Sequence, residues 1–239
     1  MRLLILLAAL LHLLAVSARA QQVPEKLTYD LSWMGIPVGT AMQEITEEGN
    51  SRRIVSLARS NDWLSAFYPI EDRTESRLKK EGPFPGASCY FRMLFKEGSR
   101  TRDRELVFDQ DRHIARYRDR LGTERRQIPI VANTYDIYAS FYYVRFQPLE
   151  VGKSLYVHVV DGKDLEQVEV RVLRRETVRV PVGEFRTILV QPMVKSEGVF
   201  EGKGGALIWL TDDPRRIPVK VETKVRVGSV TAVLTGGIP

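Results

Sequence analysis

Leu27-Thr28-Tyr29-Asp30-Leu31-Ser32-Trp33 alternates apolar and polar side chains without a break. This period of two predicts a β-strand with one buried face and one wetted face. Residues 217–227 repeat the pattern, with isoleucine and valines on one face and lysine, glutamate and arginine on the other. Similar short runs fill most of the intervening sequence, separated by polar or glycine-bearing turns. Successive strands joined by short turns are typical of an antiparallel meander, so we predict an all-β fold.

Two segments depart from the alternation and predict helices. Asn61 or Asp62 caps a short helical turn, which Pro69 ends. A longer helix is predicted over residues 133–146, capped by Asn133 or by the following threonine. One face of that helix is aromatic, with side chains spaced by three or four residues: Tyr135, Tyr138, Tyr142 and Phe146.

A long sheet with one apolar face must cover that face or close on itself. We therefore predict a strongly curved antiparallel sheet or open half-barrel, with one or two short helices on its concave side. The mature chain contains one cysteine, Cys89, so it has no internal disulfide and the fold must rest on its hydrophobic core. A buried, inert thiol is the interpretation that its apolar surroundings favour.

The N-terminus predicts export from the cytoplasm. Residues 1–20 contain one early charge, an apolar run over residues 3–16 and the ending Ala18-Arg19-Ala20. This is the pattern of a secretory signal, cleaved after Ala20, and the apolar run is too short to span a bilayer comfortably. Residues 21–239 are then expected to form a single all-β domain without a transmembrane span. Export excludes most chemistry that depends on ATP, NAD or nucleic acid.

Composition and motifs argue against several classes of function. The formal net charge is +6, but acids are interspersed among the arginines, which indicates solvated strand faces and not a nucleic-acid surface. His113 and His158 lack partners at zinc-ligand spacing. Asp109, Asp111 and the pair at 212–213 lack the spaced acids and glycine of calcium loops. No nucleophile elbow or phosphate-binding loop is present, so we predict no catalytic, cofactor-binding or metal residues and no cofactor.

Aromatic side chains are the one lead to a binding site, because ligand pockets are mostly apolar with a few placed polar groups. The alternative is that these side chains simply fill the core. Arg73 is included because a charge beside apolar runs needs a partner, which Asp72, Glu75 or Asp136 could supply. The sequence favours the simpler interpretation, a surface strand charge or a structural ion pair. The predicted pocket lining is Trp33, Trp63, Tyr68, Arg73, Tyr138, Tyr142 and Trp209.

Five separated blocks of the sequence resemble one protein family. They are LTYDLSWMGI (27–36), YPIEDRTES (68–76), YDIYASFYY (135–143), VPVGEF (180–185) and IWLTDDPRRIP (208–218). Together, and in this order, they are similar to the domain-of-unknown-function 3108 family. The resemblance implies an exported protein of Gram-negative bacteria and hence the periplasm. The family carries no established activity, so the resemblance identifies no catalytic residue.

Three hypotheses for the function remain, and all of them place the protein in the cell envelope. The first is a non-catalytic binding module, expected to be monomeric, that holds a lipidic molecule or an envelope partner inside the half-barrel. The second is a structural or assembly factor with a filled core. The third is an enzyme acting on an envelope glycan, which requires carboxylates to converge in a cleft. Its candidate carboxylates are Asp72, Glu75, Asp212 and Asp213.

Overall fold

A computed structural model describes residues 23–82, 84–193, 205–225 and 227–237. The predicted secretory signal, residues 1–20, lies outside this part of the chain. The described residues form two short helices and a single antiparallel sheet of fourteen strands that does not close. The predicted all-β class with one strongly curved, open sheet is therefore confirmed.

The strands are numbered along the chain. They are β1 Glu25–Trp33, β2 Ile36–Glu48, β3 Ser51–Ser60, β4 Ile70–Lys79, β5 Ser88–Glu97, β6 Arg100–Asp109, β7 Ile114–Asp119, β8 Arg125–Pro129, β9 Ser154–Asp161, β10 Asp164–Val180, β11 Gly183–Met193, β12 Ala206–Thr211, β13 Pro218–Lys224 and β14 Ser229–Gly236. The helices are α1 Asp62–Ser65 and α2 Ile137–Arg145.

Nearly every strand pairs with its neighbours in the chain. The exception is the pairing of β1 with β14, which leaves β8 and β9 as the two edges of the sheet. Because all pairs are antiparallel, the turns alternate between two ends of the sheet. We call the end that carries the β1–β2, β3–β4 and β13–β14 turns the rim end. The opposite end, which carries the β2–β3 and β12–β13 turns, is the far end.

The sheet curls until its two edges approach each other. Strand β10, next to one edge, contacts β8 at the other edge. Lys163 in the β9–β10 turn pairs with Glu124 beside β8, with 2.6 Å between Nζ and Oε2. The gap between the edges is bridged by the chain that enters α2, because the Tyr135 N–H donates to His158 O and the Val160 N–H donates to Tyr135 O.

Helix α2 begins later than the sequence pattern predicts. Asn133 has φ of +58°, outside the helical range, and Tyr135 forms a bridge with Val159 of β9. These two constraints keep residues 133–135 out of the helix. Asp136 becomes the N-cap and accepts hydrogen bonds from the N–H groups of Tyr138 and the next alanine, both at 3.0 Å. Helix α1, in contrast, has the predicted Asn61 cap.

Strand β10 continues through one register shift at Leu173. One strand prediction is corrected. The run 217–227, predicted as one strand, ends at Lys224. Gly228, with φ of +78°, allows a tight turn in which the Val225 N–H donates to Gly228 O, and the chain returns as β14. Val225 and Val227 are consequently exposed and not in the core.

Helix α2 is fixed to the concave face at both of its ends. Near its start, the buried Asp136 carboxylate accepts hydrogen bonds of 2.6 Å from Ser76 on β4 and Ser88 on β5. At its last residue, the Arg145 guanidinium binds the Glu25 carboxylate of β1 through two hydrogen bonds of 2.7 and 2.8 Å. Arg145 also donates to the carbonyl of Arg216 at 2.9 Å. With 1% of its surface exposed, Arg145 is a buried charge whose donors are largely satisfied.

We predict that Arg145→Ala lowers the free energy of unfolding by about 3–5 kcal/mol, because it leaves the buried Glu25 carboxylate uncompensated. Urea denaturation measures the loss. Arg179→Ala is the matched control, since the Arg179–Glu184 pair has side chains 83% and 53% exposed, and we expect it to cost less than about 1 kcal/mol. Equal, small losses in the two variants would show that the helix is not held by this ion pair.

Candidate functional site

A cavity of about 330 Å³ lies between α2 and the concave face of the sheet. The wall provided by the helix consists of Ile137, Tyr138, Ser140, Phe141 and Val144. The opposite walls come from strands in both halves of the curled sheet. No Asp, Glu, Lys or Arg is among the described residues that line the cavity.

Small side chains on the central strands create the space. Ala41 of β2 and Ala58 of β3 lie directly opposite each other in the register, and both line the cavity. The next inward-facing pair is Gln43 and Ser56, and Ala232 of β14 adds a further small side chain. Large side chains at these positions would meet the helix. The cavity therefore exists because the helix spans a strip of the sheet that has little side-chain volume.

One wall of the cavity is polar but uncharged. Gln43 faces the cavity, and within the described part of the chain its carboxamide has no hydrogen-bond partner. The Tyr138 hydroxyl from the helix interacts with the side chains of Ser56 and Thr74. Burial raises the pKa of Tyr138, so its hydroxyl stays protonated. We call Gln43, Ser56 and Tyr138 the polar wall.

The other wall is apolar and β-branched. It is formed mainly by alternate side chains of strands β9 to β12: Val157, Val159, Val168, Val170, Val190 and Ile208. Residues two apart in a strand point to the same face, which explains the spacing along β9 and β10. An elongated apolar molecule could pack along this wall with one polar group directed at the polar wall.

Asp72 lies beside the cavity without lining it. It is opposite Ala58 in the register and accepts a hydrogen bond of 3.1 Å from the Lys96 N–H. Burial, followed by the nearby charge of Glu97, raises the pKa of Asp72 to about 7. The Asp72 carboxyl lies one inward-facing position along β4 from Thr74, the residue that pairs with Ser56, and its charge changes near neutral pH.

Of the seven residues predicted to line a pocket, Tyr138 lines this cavity. Tyr142 lies on another face of α2, where its hydroxyl donates to Glu25 at 3.3 Å, and it is 1% exposed. Trp209 packs in a separate core cluster and donates to Glu176 at 2.6 Å. These two aromatic residues have structural contacts away from the cavity.

The remaining four predicted residues lie outside the cavity. Trp33, Trp63 and Tyr68 are exposed at the rim end, with 37%, 46% and 46% of their surface accessible. Arg73 points away from the cavity, on the outer face of β4, and pairs with Glu75 at 3.5 Å. Of the three partners considered for Arg73, the structure therefore selects Glu75.

The cavity residues that sequence reasoning missed are small or uncharged. Ala41 and Gln43 on β2, with Ser56 and Ala58 on β3, occupy alternate positions that face inward. The signal in the sequence is a pair of strands in which the alternate, inward-facing positions hold small or polar residues in place of large apolar ones. Such a pattern becomes informative only once the register that places the two strands side by side is known.

The four candidate carboxylates of a glycan-processing enzyme do not converge. Asp72 faces inward near the rim end, whereas Glu75 faces outward, where hydrogen bonding from Arg53 holds its pKa at about 2. Asp212 pairs with Arg175, and the next aspartate lies with it in the β12–β13 turn at the far end. Across the described ranges, no group of three or more His, Cys, Asp or Glu could hold a metal ion.

Comparison with known proteins gives a family and a fold. The model of the family described as "Protein of unknown function (DUF3108)" matches residues 28–235. No curated protein matches the sequence significantly. Among solved structures, the fold is similar to a beta-barrel-like protein of domain of unknown function DUF1849 from Brucella abortus. The TM-score is 0.58 at 10% identity, covering 90% of this chain and 97% of that chain. Within the described residues, no helix combines the length and apolarity needed to cross a membrane.

We predict that Asp72 makes the stability of the protein pH-dependent. Its pKa is raised in the folded state, so the folded state takes up more protons, and stability is fully present below about pH 4 and decreases as pH rises toward 7. In Asp72→Asn this contribution is absent. Urea denaturation at pH 5 and pH 8 should therefore show the variant gaining stability relative to the parent as pH rises. Parallel pH profiles of the two proteins would contradict the prediction.

Proposed function

Because the chain belongs to the DUF3108 family, whose description assigns no activity, we propose its function from the geometry: a non-catalytic module that binds an apolar, lipidic molecule. The observation that carries the proposal is the cavity between α2 and the concave face. At about 330 Å³ it lies at the small end of ligand pockets, which span roughly 300–1,000 Å³. This size suits the apolar part of a larger amphiphile.

The absence of charge among the described lining residues restricts the ligand further. A phosphate or carboxylate placed in the cavity would lose its hydration without gaining a cationic partner. The ligand should therefore insert an uncharged apolar segment and keep any charged headgroup outside. The polar wall can pair with one neutral group in that segment, such as an ester or amide carbonyl, through the Gln43 amide or the Tyr138 hydroxyl.

The predicted export signal supports placing this activity in the periplasm, where apolar molecules must cross an aqueous space between membranes. The two alternatives gain less support. An assembly factor was expected to have a filled core, whereas this core contains a cavity. An enzyme acting on glycan requires facing carboxylates, and the candidate acids are dispersed over opposite faces and ends of the sheet.

Filling the cavity tests the proposal. We predict that the double variant Ala41→Leu, Ala58→Leu weakens binding of the neutral dye N-phenyl-1-naphthylamine by roughly tenfold or more, because the added side chains occupy its space. Dye fluorescence titrations measure the affinity. Ala132→Leu adds the same side chain at an exposed loop position, and it should bind like the parent. Unchanged binding by a folded double variant would exclude this cavity as the binding site.

A second test concerns the polar wall. We predict that Tyr138→Phe weakens binding of methyl laurate by roughly 3- to 10-fold, the effect of one lost hydrogen bond. Binding of tridecane, which has a similar length and no carbonyl, should be unaffected. Competition against the dye gives both affinities. If the variant loses both ligands equally, Tyr138 acts through packing alone and the polar wall does not recognise a carbonyl.

A further inference from the structure

Exposed apolar side chains are concentrated on three neighbouring turns at the rim end. We call Trp33, Met34, Trp63, Phe67, Tyr68 and Val227 the apolar rim. They come from the β1–β2, β3–β4 and β13–β14 turns, whose strands are adjacent in the order β4-β3-β2-β1-β14-β13. Phe67 is 84% exposed, and Met34 and Val227 are each 63% exposed. Such a cluster on a soluble surface marks an interaction site.

The three turns are joined into one surface by hydrogen bonds. The Trp33 indole donates to Val227 O at 2.8 Å, and the Met34 N–H donates to Ser229 O at 3.0 Å. The Trp63 indole donates to Pro37 O at 2.8 Å. Both indole N–H groups are thereby satisfied within the protein. The exposed parts of the two rings are purely apolar and need no polar partner in an apolar environment.

We propose that the apolar rim docks the protein onto a bilayer surface that contains anionic lipid. The rim consists of residues at turns, beyond or at the ends of the strands. Exposed tryptophan, tyrosine and phenylalanine side chains at one end of a protein are suited to the interface between headgroups and acyl chains. Docking goes beyond the proposed ligand binding and does not require an occupied cavity.

The charges beside the apolar rim favour an anionic surface. Lys224 and Arg100, both exposed, flank it next to the β13–β14 and β5–β6 turns, and neither has an ion-pair partner among the described residues. The nearby Glu71 is paired with Lys96 at 3.3 Å and with Arg59 at 3.7 Å. Asp62, at the start of α1, is an exposed acid between the turn residues of the rim. The whole chain carries a formal net charge of +6, of which two positive charges, Arg2 and Arg19, precede Gln21.

The position of the cavity is consistent with docking at this end. Helix α2 is anchored toward the far end, where Arg145 meets Glu25 at the start of β1. The cavity extends along the strands as far as Leu31 of β1 and Ala58 of β3. Each of these residues lies two positions before the last residue of its strand at the rim end. Two residues of a strand span about 7 Å. A docked rim would therefore place the cavity a short distance from the acyl chains.

Vesicle flotation tests the proposal with the chain from Gln21 onward, which contains every described strand. We expect it to float with phosphatidylcholine vesicles containing phosphatidylglycerol, and less with phosphatidylcholine alone or in high salt. The double variant Trp63→Ser, Phe67→Ser should lower vesicle affinity by roughly tenfold or more. Tyr156→Ser is the control, because Tyr156 is 59% exposed on β9, away from the rim. It should float like the parent.

The proposal is overturned if the parent binds neither kind of vesicle, or if the rim variant and the Tyr156 variant float equally well. It is also overturned if light scattering shows a dimer that only the rim variant converts to a monomer, since the apolar rim would then bind a second copy. Dye binding by the rim variant separates the two proposals. Retained dye affinity with lost flotation supports docking and leaves the cavity intact.

Discussion

An open sheet of fourteen strands with an apolar concave face is stable in water only if that face is covered. In this protein α2, a helix of nine residues, covers part of that face and packs in its largest buried cluster. So short a helix is marginal on its own and depends on tertiary contacts. Asp136 supplies them at one end, and the Arg145–Glu25 pair supplies them at the other. These contacts fix where the helix lies on the curled sheet.

Anchoring at the ends has a consequence for the middle of the helix. Because the two polar anchors hold α2 at its ends, its position does not depend on close packing beneath its centre. Ala41, Ser56 and Ala58 lie there and leave space that a fully packed core would fill. An unfilled apolar cavity would cost stability, and the proposed ligand would remove that cost. The polar wall would then orient the ligand, with its polar group facing Gln43, Ser56 and Tyr138.

Local patterning was sufficient to predict the class of the fold and the existence of both helices. Alternation such as that of residues 27–33 depends only on neighbours, as does the Asn61 cap. What could not be predicted depends on distant partners. Arg145 and Glu25 are 120 residues apart, and the start of α2 is set by the pairing of Tyr135 with β9. The pocket prediction selected large aromatic side chains. The space in this cavity is left by small side chains on β2, β3 and β14, and their significance appears only when the strands are in register.

The central claim is that the cavity binds an apolar molecule in the cell. Native mass spectrometry of the protein isolated from the cells that make it, before and after extraction with organic solvent, tests this most directly. The account predicts an added mass that extraction removes. The extracted molecule should partition into the organic phase, as a lipid does. A protein that carries no added mass, and that gains none when mixed with total lipid extract of the same cells, would contradict it.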